Sequence, residues 1–221
     1  MDITHADVTE KSAADGANRR RFLGAGIVGA ALAAVAARPV SAQTDDSVAE
    51  STTTAPPARP TAADTDLLVF VQQVELTAMA LYRAALGSDV DLDDTMRANF
   101  DALRLHHDAY AKSVAGLVGG VATNSHDEAL YDELVDGFEQ GSAAEVAKAA
   151  HDLENSLVAT HTALLSELEG TNASSLVASI QIVEARHAAV LAKLAGLDPV
   201  ADADAFLVTP DIEPLTPADD A

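Results

Sequence analysis

Apolar residues recur every three or four positions in four segments of the chain, at about 66–86, 95–118, 142–170 and 174–195. That period places the apolar side chains of each segment on one face of a helix, and such a face has to be buried. Each predicted helix would be roughly 30 to 40 Å long at 1.5 Å per residue, a length typical of helical bundles. The pattern therefore predicts an all-α protein built from four long helices.

The connections predict how these helices are arranged. The first and second segments are separated by about eight residues and the third and fourth by only a few, so each pair should form an antiparallel hairpin. The connection from Gly119 to Gly141 is much longer and holds an acidic piece at 127–138 that can be helical. We therefore expect an antiparallel four-helix bundle with a long crossover between helices two and three.

Polar residues interrupt each apolar stripe near its middle. In the order of the segments they are Glu75, His107 with Tyr110, Glu154, and Glu184 with His187. A buried, unpaired carboxylate is costly, and three in one core cannot all stay ionised without cations. The i, i+3 spacing of the last pair points both side chains at one spot, and carboxylate with imidazole suits iron, manganese or zinc.

Three stretches carry a family resemblance: V-E-L-T-A-M-A-L-Y-R-A-A-L at 74–86, L-E-N-S-L-V-A-T-H at 153–161 and V-E-A-R-H-A-A-V-L at 183–191. They resemble the ferritin-like superfamily, and most closely its exported branch, which includes desiccation-related proteins. The resemblance spans about residues 66–196 and implies a ferritin-like bundle. In the di-metal members, helices one and three each supply a Glu, and helices two and four each supply Glu-x-x-His.

The resemblance also implies a ligand set, with a departure in helix two, where His107-x-x-Tyr110 stands in place of Glu-x-x-His. The residues expected to bind metal are Glu75, His107, Glu154, Glu184 and His187. Since one bridging carboxylate is missing, one ion or two remain open, and oxidation of bound iron depends on the second.

Five neighbouring polar residues are not expected to be ligands. His161 and Tyr82 lie two helical turns from the central glutamates and should hydrogen-bond the carboxylates or cap the core. Tyr110 should lie beside the site. His106 and Asp108 fall off the apolar stripe and should lie at the surface.

The N-terminal region has the pattern of an export signal. An R-R-x-F-L pattern at 19–23 precedes an Ala/Gly/Val-rich stretch at 23–37 and the small residues Val40-Ser41-Ala42. This resembles a twin-arginine signal peptide cut after Ala42. The apolar stretch is shorter than the roughly 20 residues needed to cross a bilayer. We therefore expect recognition by the twin-arginine export machinery, a periplasmic or extracellular location, and no stable membrane insertion after cleavage, with an uncleaved anchor as the alternative.

The predicted domains follow from these features. Residues 1–42 are the signal peptide, and 43–65, rich in Thr, Ala, Pro, Ser and Asp, are a disordered linker. Residues 66–196 form the ferritin-like bundle. Residues 197–221 are an acidic tail whose prolines prevent a long helix, although Phe206, Leu207 and Val208 could fold back onto the bundle.

Composition and charge exclude several classes of function. The chain has no cysteine, which excludes disulfides, thiolate metal sites and a lipid-anchored cysteine. A formal charge of −22 repels nucleic acid and anionic membrane surfaces. The acidity fits a saline setting and an ordinary solubilising surface equally well, and no pattern specifies an oligomer.

Three functions remain open. The first is a protein that binds one or two transition-metal ions in the bundle core, with binding or oxidation of iron as its chemistry. The second is a metal-free bundle with a hydrogen-bonded polar network, serving in stress or envelope protection. The third is an oxidase of an organic substrate, which needs a cavity beside the metals.

Overall fold

Six α-helices and no strands make up the part of the chain that the computed structural model describes, residues 59–206 and 212–217. In chain order they are α1 (Ala62–Gly87), α2 (Asp94–Val118), α3 (Glu128–Leu134), α4 (Asp136–Glu139), α5 (Ala143–Leu165) and α6 (Thr171–Leu194). The all-α prediction is confirmed, and the four predicted long helices are α1, α2, α5 and α6. The predicted signal peptide at 1–42 lies outside the described residues.

The four long helices pack around one core as two hairpins. Residues 88–93 join α1 to α2, and residues 166–170 join α5 to α6. α1 also contacts α5, and α2 contacts α6, so the helices follow the order α1, α2, α6, α5 around the core. The connection at 119–142 contains α3 and α4, and α4 contacts both α1 and α5. The predicted bundle with its long crossover is therefore present.

The start of α1 is fixed by a buried carboxylate. Thr61 and Asp64 form a capping box, in which Asp64 Oδ2 accepts from Thr61 N at 2.8 Å. The same carboxylate accepts from Glu169 N at 2.7 Å and Gly170 N at 2.8 Å, just before α6. A Cβ on Gly170 would lie 2.7 Å from Asp64 Oδ2, so this close approach requires glycine. Because of these contacts, α1 begins at Ala62, inside the stretch predicted as linker.

The crossover is held against α1 by buried polar side chains. Gln72 is 1% exposed and donates from Nε2 to Asn124 Oδ1 at 3.1 Å. Thr77 Oγ1 accepts from Asp127 N at 3.1 Å, at the start of α3. Phe138, on α4, is 1% exposed and belongs to the hydrophobic core. These contacts make the crossover a cover over the seam between α1 and α5.

The described part of the acidic tail returns along α5. His151 Nε2 donates to the carbonyl oxygen of Ala205 at 2.9 Å, and Thr160 Oγ1 accepts from Leu215 N at 2.8 Å. Phe206 is half-buried, in agreement with the expectation that it folds back. Residues 207 and 208, expected to do the same, lie outside the described residues.

By length and composition alone, α6 could cross a membrane, with a mean hydropathy of 1.2. In the bundle, however, it buries Ile180, Glu184, His187 and Leu191 against the other helices. Packing in the core therefore accounts for one face of α6, whereas Ile182 and Val190 on its other face are exposed.

The Asp64 carboxylate should contribute measurably to stability. Burial would raise the pKa of Asp64, but the backbone N–H groups of Thr61, Glu169 and Gly170 lower it below its usual value. Asp64→Ala leaves these donors without an acceptor and should lower the free energy of unfolding by about 2 kcal/mol.

Denaturant unfolding at neutral pH measures the effect of Asp64→Ala. The matched control is Asp66→Ala, an exposed acid in the same turn. The Asp64 contribution should also fade as the pH falls through the lowered pKa. Equal losses in the two variants would contradict this role.

Candidate metal centre

Six carboxylate and imidazole side chains meet at the middle of the bundle. They are Glu75 on α1, His107 on α2, Glu154 and His161 on α5, and Glu184 and His187 on α6. His187 is 5% exposed, and the other five are fully buried. The structure thus brings together all five residues predicted as ligands and adds His161 to them.

Glu154 is the centre of one group. Its Oε1 accepts from Tyr82 Oη at 2.6 Å and lies 3.1 Å from His107 Nε2. Its Oε2 lies 3.3 Å from His187 Nδ1. The ligand atoms of His107, Glu154 and His187 lie within 4.8 Å of one another. Three side chains from three helices therefore converge on one point.

Charge keeps Glu154 ionised in this group. Burial would raise the pKa of Glu154, but His107 beside it and the hydrogen bonds from His107 and His187 lower it to about 2. Burial would lower the pKa of His107, but the carboxylates of Glu154 and Glu75 raise it well above its usual value. His107 thus lies between two carboxylates that favour its protonated form.

Glu75, His161 and Glu184 form a second group. His161 Nδ1 lies 2.7 Å from Glu184 Oε2, and His161 Nε2 lies 3.5 Å from Glu75 Oε1. The ligand atoms of the three residues again lie within 4.8 Å of one another. Glu75 Oε2 lies 2.8 Å from His107 Nδ1, which connects the two groups.

Three buried atoms of the second group make no hydrogen bond with any part of the chain that the structure describes. They are Glu75 Oε1, Glu184 Oε1 and His161 Nε2. Burial raises the pKa of Glu184, the carboxylates of Glu75 and Glu154 raise it as well, and His161 opposes them, so that this pKa lies at about 7. Burial lowers the pKa of His161, but the carboxylates of Glu184 and Glu75 raise it overall. Burial and the neighbouring carboxylates thus favour proton binding by Glu184 and His161.

His161 shows what the sequence reasoning missed. The expected hydrogen bond to a carboxylate is present, but its second nitrogen faces Glu75 with no hydrogen bond, which makes it a ligand candidate too. The signal lay in an internal repeat, because Tyr82 follows Glu75 by seven residues as His161 follows Glu154. Tyr82 on α1 contacts Glu154 on α5, and His161 on α5 correspondingly faces Glu75 on α1.

The structure agrees with the positions expected for Tyr110, Asp108 and His106, and it shows one contact of His106 that was not expected. Tyr110 is half-buried, with its ring centre 6.0 Å from that of His107. Asp108 is paired at 2.7 Å with the lysine four residues later and does not face the centre. His106 is exposed as expected, but its Nδ1 lies 2.9 Å from His187 Nε2. The centre therefore has a contact with the surface that the pattern did not indicate.

The donor atoms fit a divalent transition-metal ion. Carboxylate oxygens and imidazole nitrogens bind such ions at about 2.0 to 2.2 Å, so two donors to one ion are at most about 4.4 Å apart. A spread of up to 4.8 Å needs only small side-chain shifts to meet that limit. His107 could bind through Nε2 while Nδ1 donates to Glu75, an arrangement that commonly orients metal-binding histidines.

Comparison with known proteins gives one family match. Residues 63–197 match a family model described as a ferritin-like domain, and the match includes all six residues of the centre. No curated protein and no solved structure is similar at a significant level.

The metal-free protein should become more stable on mild acidification. The folded-state pKa of Glu184, about 7, lies above the value of about 4.3 in an unfolded chain, and the pKa values of His107 and His161 are also raised. The folded state then binds more protons, so this stability is gained as pH falls from about 8 to 5 and lost as it rises again.

Urea unfolding in the presence of a chelator, repeated across that pH range, measures the effect. Relief of general repulsion in a chain of net charge −22 also stabilises at lower pH, so Glu184→Gln is the matched comparison. Gln mimics the protonated carboxyl, and the variant should show a shallower pH dependence than the unmodified protein. Identical slopes would contradict the role of Glu184.

Proposed function

Because this chain belongs to the ferritin-like domain family, we propose that it binds one or two transition-metal ions in the core of its bundle. Iron, manganese and zinc are the metals that suit its donors, since imidazole and carboxylate together favour borderline divalent ions. The proposal takes the five ligands expected from the sequence and adds His161.

The observation that carries this proposal is a set of three buried atoms that have no hydrogen-bond partner among the described residues, Glu75 Oε1, Glu184 Oε1 and His161 Nε2. A buried polar atom without a partner costs free energy, and three in one cluster are rare in a folded protein. All three can donate a lone pair to a cation. A single ion bound by this group would therefore remove three penalties at once.

Each of the two groups would bind one ion. His107, Glu154 and His187 would hold one ion, and Glu75, His161 and Glu184 a second. Tyr82 orients Glu154 through its hydrogen bond of 2.6 Å. Five of the six side chains of the centre are fully buried between the surrounding helices.

The chemistry depends on the metal bound. Iron or manganese would supply electron-transfer chemistry at this buried site, whereas zinc, which does not change its oxidation state, would supply structural stability or Lewis-acid chemistry. Oxidation of iron would require an ion in each of the two groups.

A metal-free protective bundle is the second candidate function, and it also has an observation in its favour. Tyr82, His107 and Glu154 make hydrogen-bonding contacts of 2.6 to 3.1 Å without any ion, as does His161 with Glu184 at 2.7 Å. Protonated imidazoles can balance these carboxylates, and the network would then serve stability alone. The pockets beside Leu215 and beside 201–205 are lined by none of the six central residues, so they give no support to an organic oxidase.

Metal should stabilise the folded protein. An ion bound only by the folded state at 100 times its Kd adds about 2.7 kcal/mol to the free energy of unfolding. Chelation should therefore lower the Tm, and adding back iron, manganese or zinc should restore it. Metal content and Tm are measured on the same purified samples.

Glu184→Gln separates the two candidate functions. If metal is bound, this variant loses the part of the stability that chelators remove, whereas in a metal-free network it is tolerated or stabilising. Glu139→Gln, at an exposed position on α4, is the control and should keep the full response. If the Tm of the metal-free protein does not change when iron, manganese or zinc is added, the protective bundle becomes the better-supported function.

We also propose that the protein is exported by the twin-arginine route and cut after Ala42. The Arg pair, the weakly apolar stretch and the small residues before the cut support this proposal. Replacing Arg19 and Arg20 together by Lys should abolish export, which cell fractionation measures. The N-terminal residue of the exported protein should be Gln43, and unchanged export of the double variant would refute the route.

A further inference from the structure

A buried metal centre needs a route to the surface, and the two sides of the bundle differ in this respect. On the side of α1 and α5, the crossover covers the seam, and the ring of Phe138 packs edge-on against Tyr82 with ring centres 5.9 Å apart. Tyr82 is itself fully buried, and its hydroxyl is bonded to Glu154. An aromatic pair thus closes this side of the centre.

The seam between α2 and α6 carries an exposed side chain that reaches the centre. His106 is exposed, and its Nδ1 lies 2.9 Å from Nε2 of His187. His187 is also the one member of the six that is not fully buried, and its other nitrogen lies 3.3 Å from Glu154 Oε2. Ring nitrogens and carboxylate oxygens therefore form a continuous path from the surface to the centre.

The two nitrogens of His187 face opposite ends of this path. Nδ1 faces Glu154 Oε2 at 3.3 Å, and Nε2 faces outward, 2.9 Å from His106 Nδ1. Two imidazoles with nitrogens this close are a donor pair for a borderline divalent ion.

We propose that His106 and His187 form an outer position that captures a divalent transition-metal ion at the surface, from which His187 passes it to Glu154 and His107. This inference rests on the proposed metal-binding function. In this role His106 affects how fast ions enter the centre, and it is not one of the final ligands.

Stopped-flow uptake of Co²⁺ by the metal-free protein tests this assignment, with the visible absorption of bound Co²⁺ as the signal. His106→Ala should load about tenfold more slowly, because the outer position loses one of its two donors and holds an entering ion less tightly. His106→Asn keeps a hydrogen-bond donor to His187 but is a poor ligand, and it should be equally slow. His106→Asp keeps a metal-binding group and should load near the normal rate.

Equilibrium binding and a control complete the experiment. Uptake and release share one path, so all His106 variants should retain the stoichiometry and Kd of the unmodified protein. His126→Ala removes an imidazole on the crossover, 3.3 Å from Glu128 and away from the centre, and should change nothing. The Tm of each metal-free variant checks that the fold is intact.

Three results would overturn the capture role. Normal uptake by His106→Ala would show that ions enter elsewhere, and normal uptake by His106→Asn alone would reduce His106 to a hydrogen-bond partner. A weaker Kd at an unchanged uptake rate would make it a resident ligand. Failure of the unmodified protein to bind Co²⁺ would remove the proposed function as well, whereas uptake independent of His106 leaves that function standing.

Discussion

Three carboxylates in an apolar core require positive charge beside them, and the centre of this bundle is arranged to provide it. Glu75, Glu154 and Glu184 are fully buried, and each lies within 2.7 to 3.3 Å of at least one imidazole nitrogen. Without such neighbours, the desolvation of three ionised groups would cost more than a small domain can offset. The helices therefore have to meet in the register that pairs these side chains.

The balance of charge around Glu154 differs from that around Glu184, and the proposed metal binding rests on this difference. Around Glu154, hydrogen bonds from a tyrosine and two histidines satisfy the carboxylate and hold its pKa at about 2. Around Glu184, burial dominates, the pKa rises to about 7, and three atoms lack hydrogen-bond partners within residues 59–206 and 212–217. A proton or a cation must supply the missing charge in the second group. In the di-metal ferritin-like proteins the inward-facing set is two glutamates and two Glu-x-x-His pairs, whereas here His107 and His161 take part in the centre.

The scaffold treats the two seams of the bundle differently. Asp64 ties the start of α1 to the turn before α6, and Gln72 and Thr77 hold the crossover against α1. These contacts bring Phe138 over Tyr82 and close one seam with aromatic rings. The opposite seam leaves His106 in solvent and in contact with His187. The seam between α2 and α6 thus gives access to the centre, whereas the crossover protects the opposite seam from water.

By itself, the sequence determined the helices, their hairpins and five members of the centre. A 3.6-residue period shows which side chains share a buried face, and loop lengths show which helices pair. It also suggested the folding back of Phe206 onto the bundle.

Tertiary structure alone decided the contacts between residues far apart in the chain. A period cannot show that Asp64 would meet Glu169 and Gly170, and this meeting places the start of α1 at Ala62. Nor can it show which nitrogen of His161 would be left without a partner, or that His106, off the apolar stripe, would reach His187. Periodicity fixes the direction of a side chain relative to its own helix, whereas these contacts depend on how far and at what height the neighbouring helix lies.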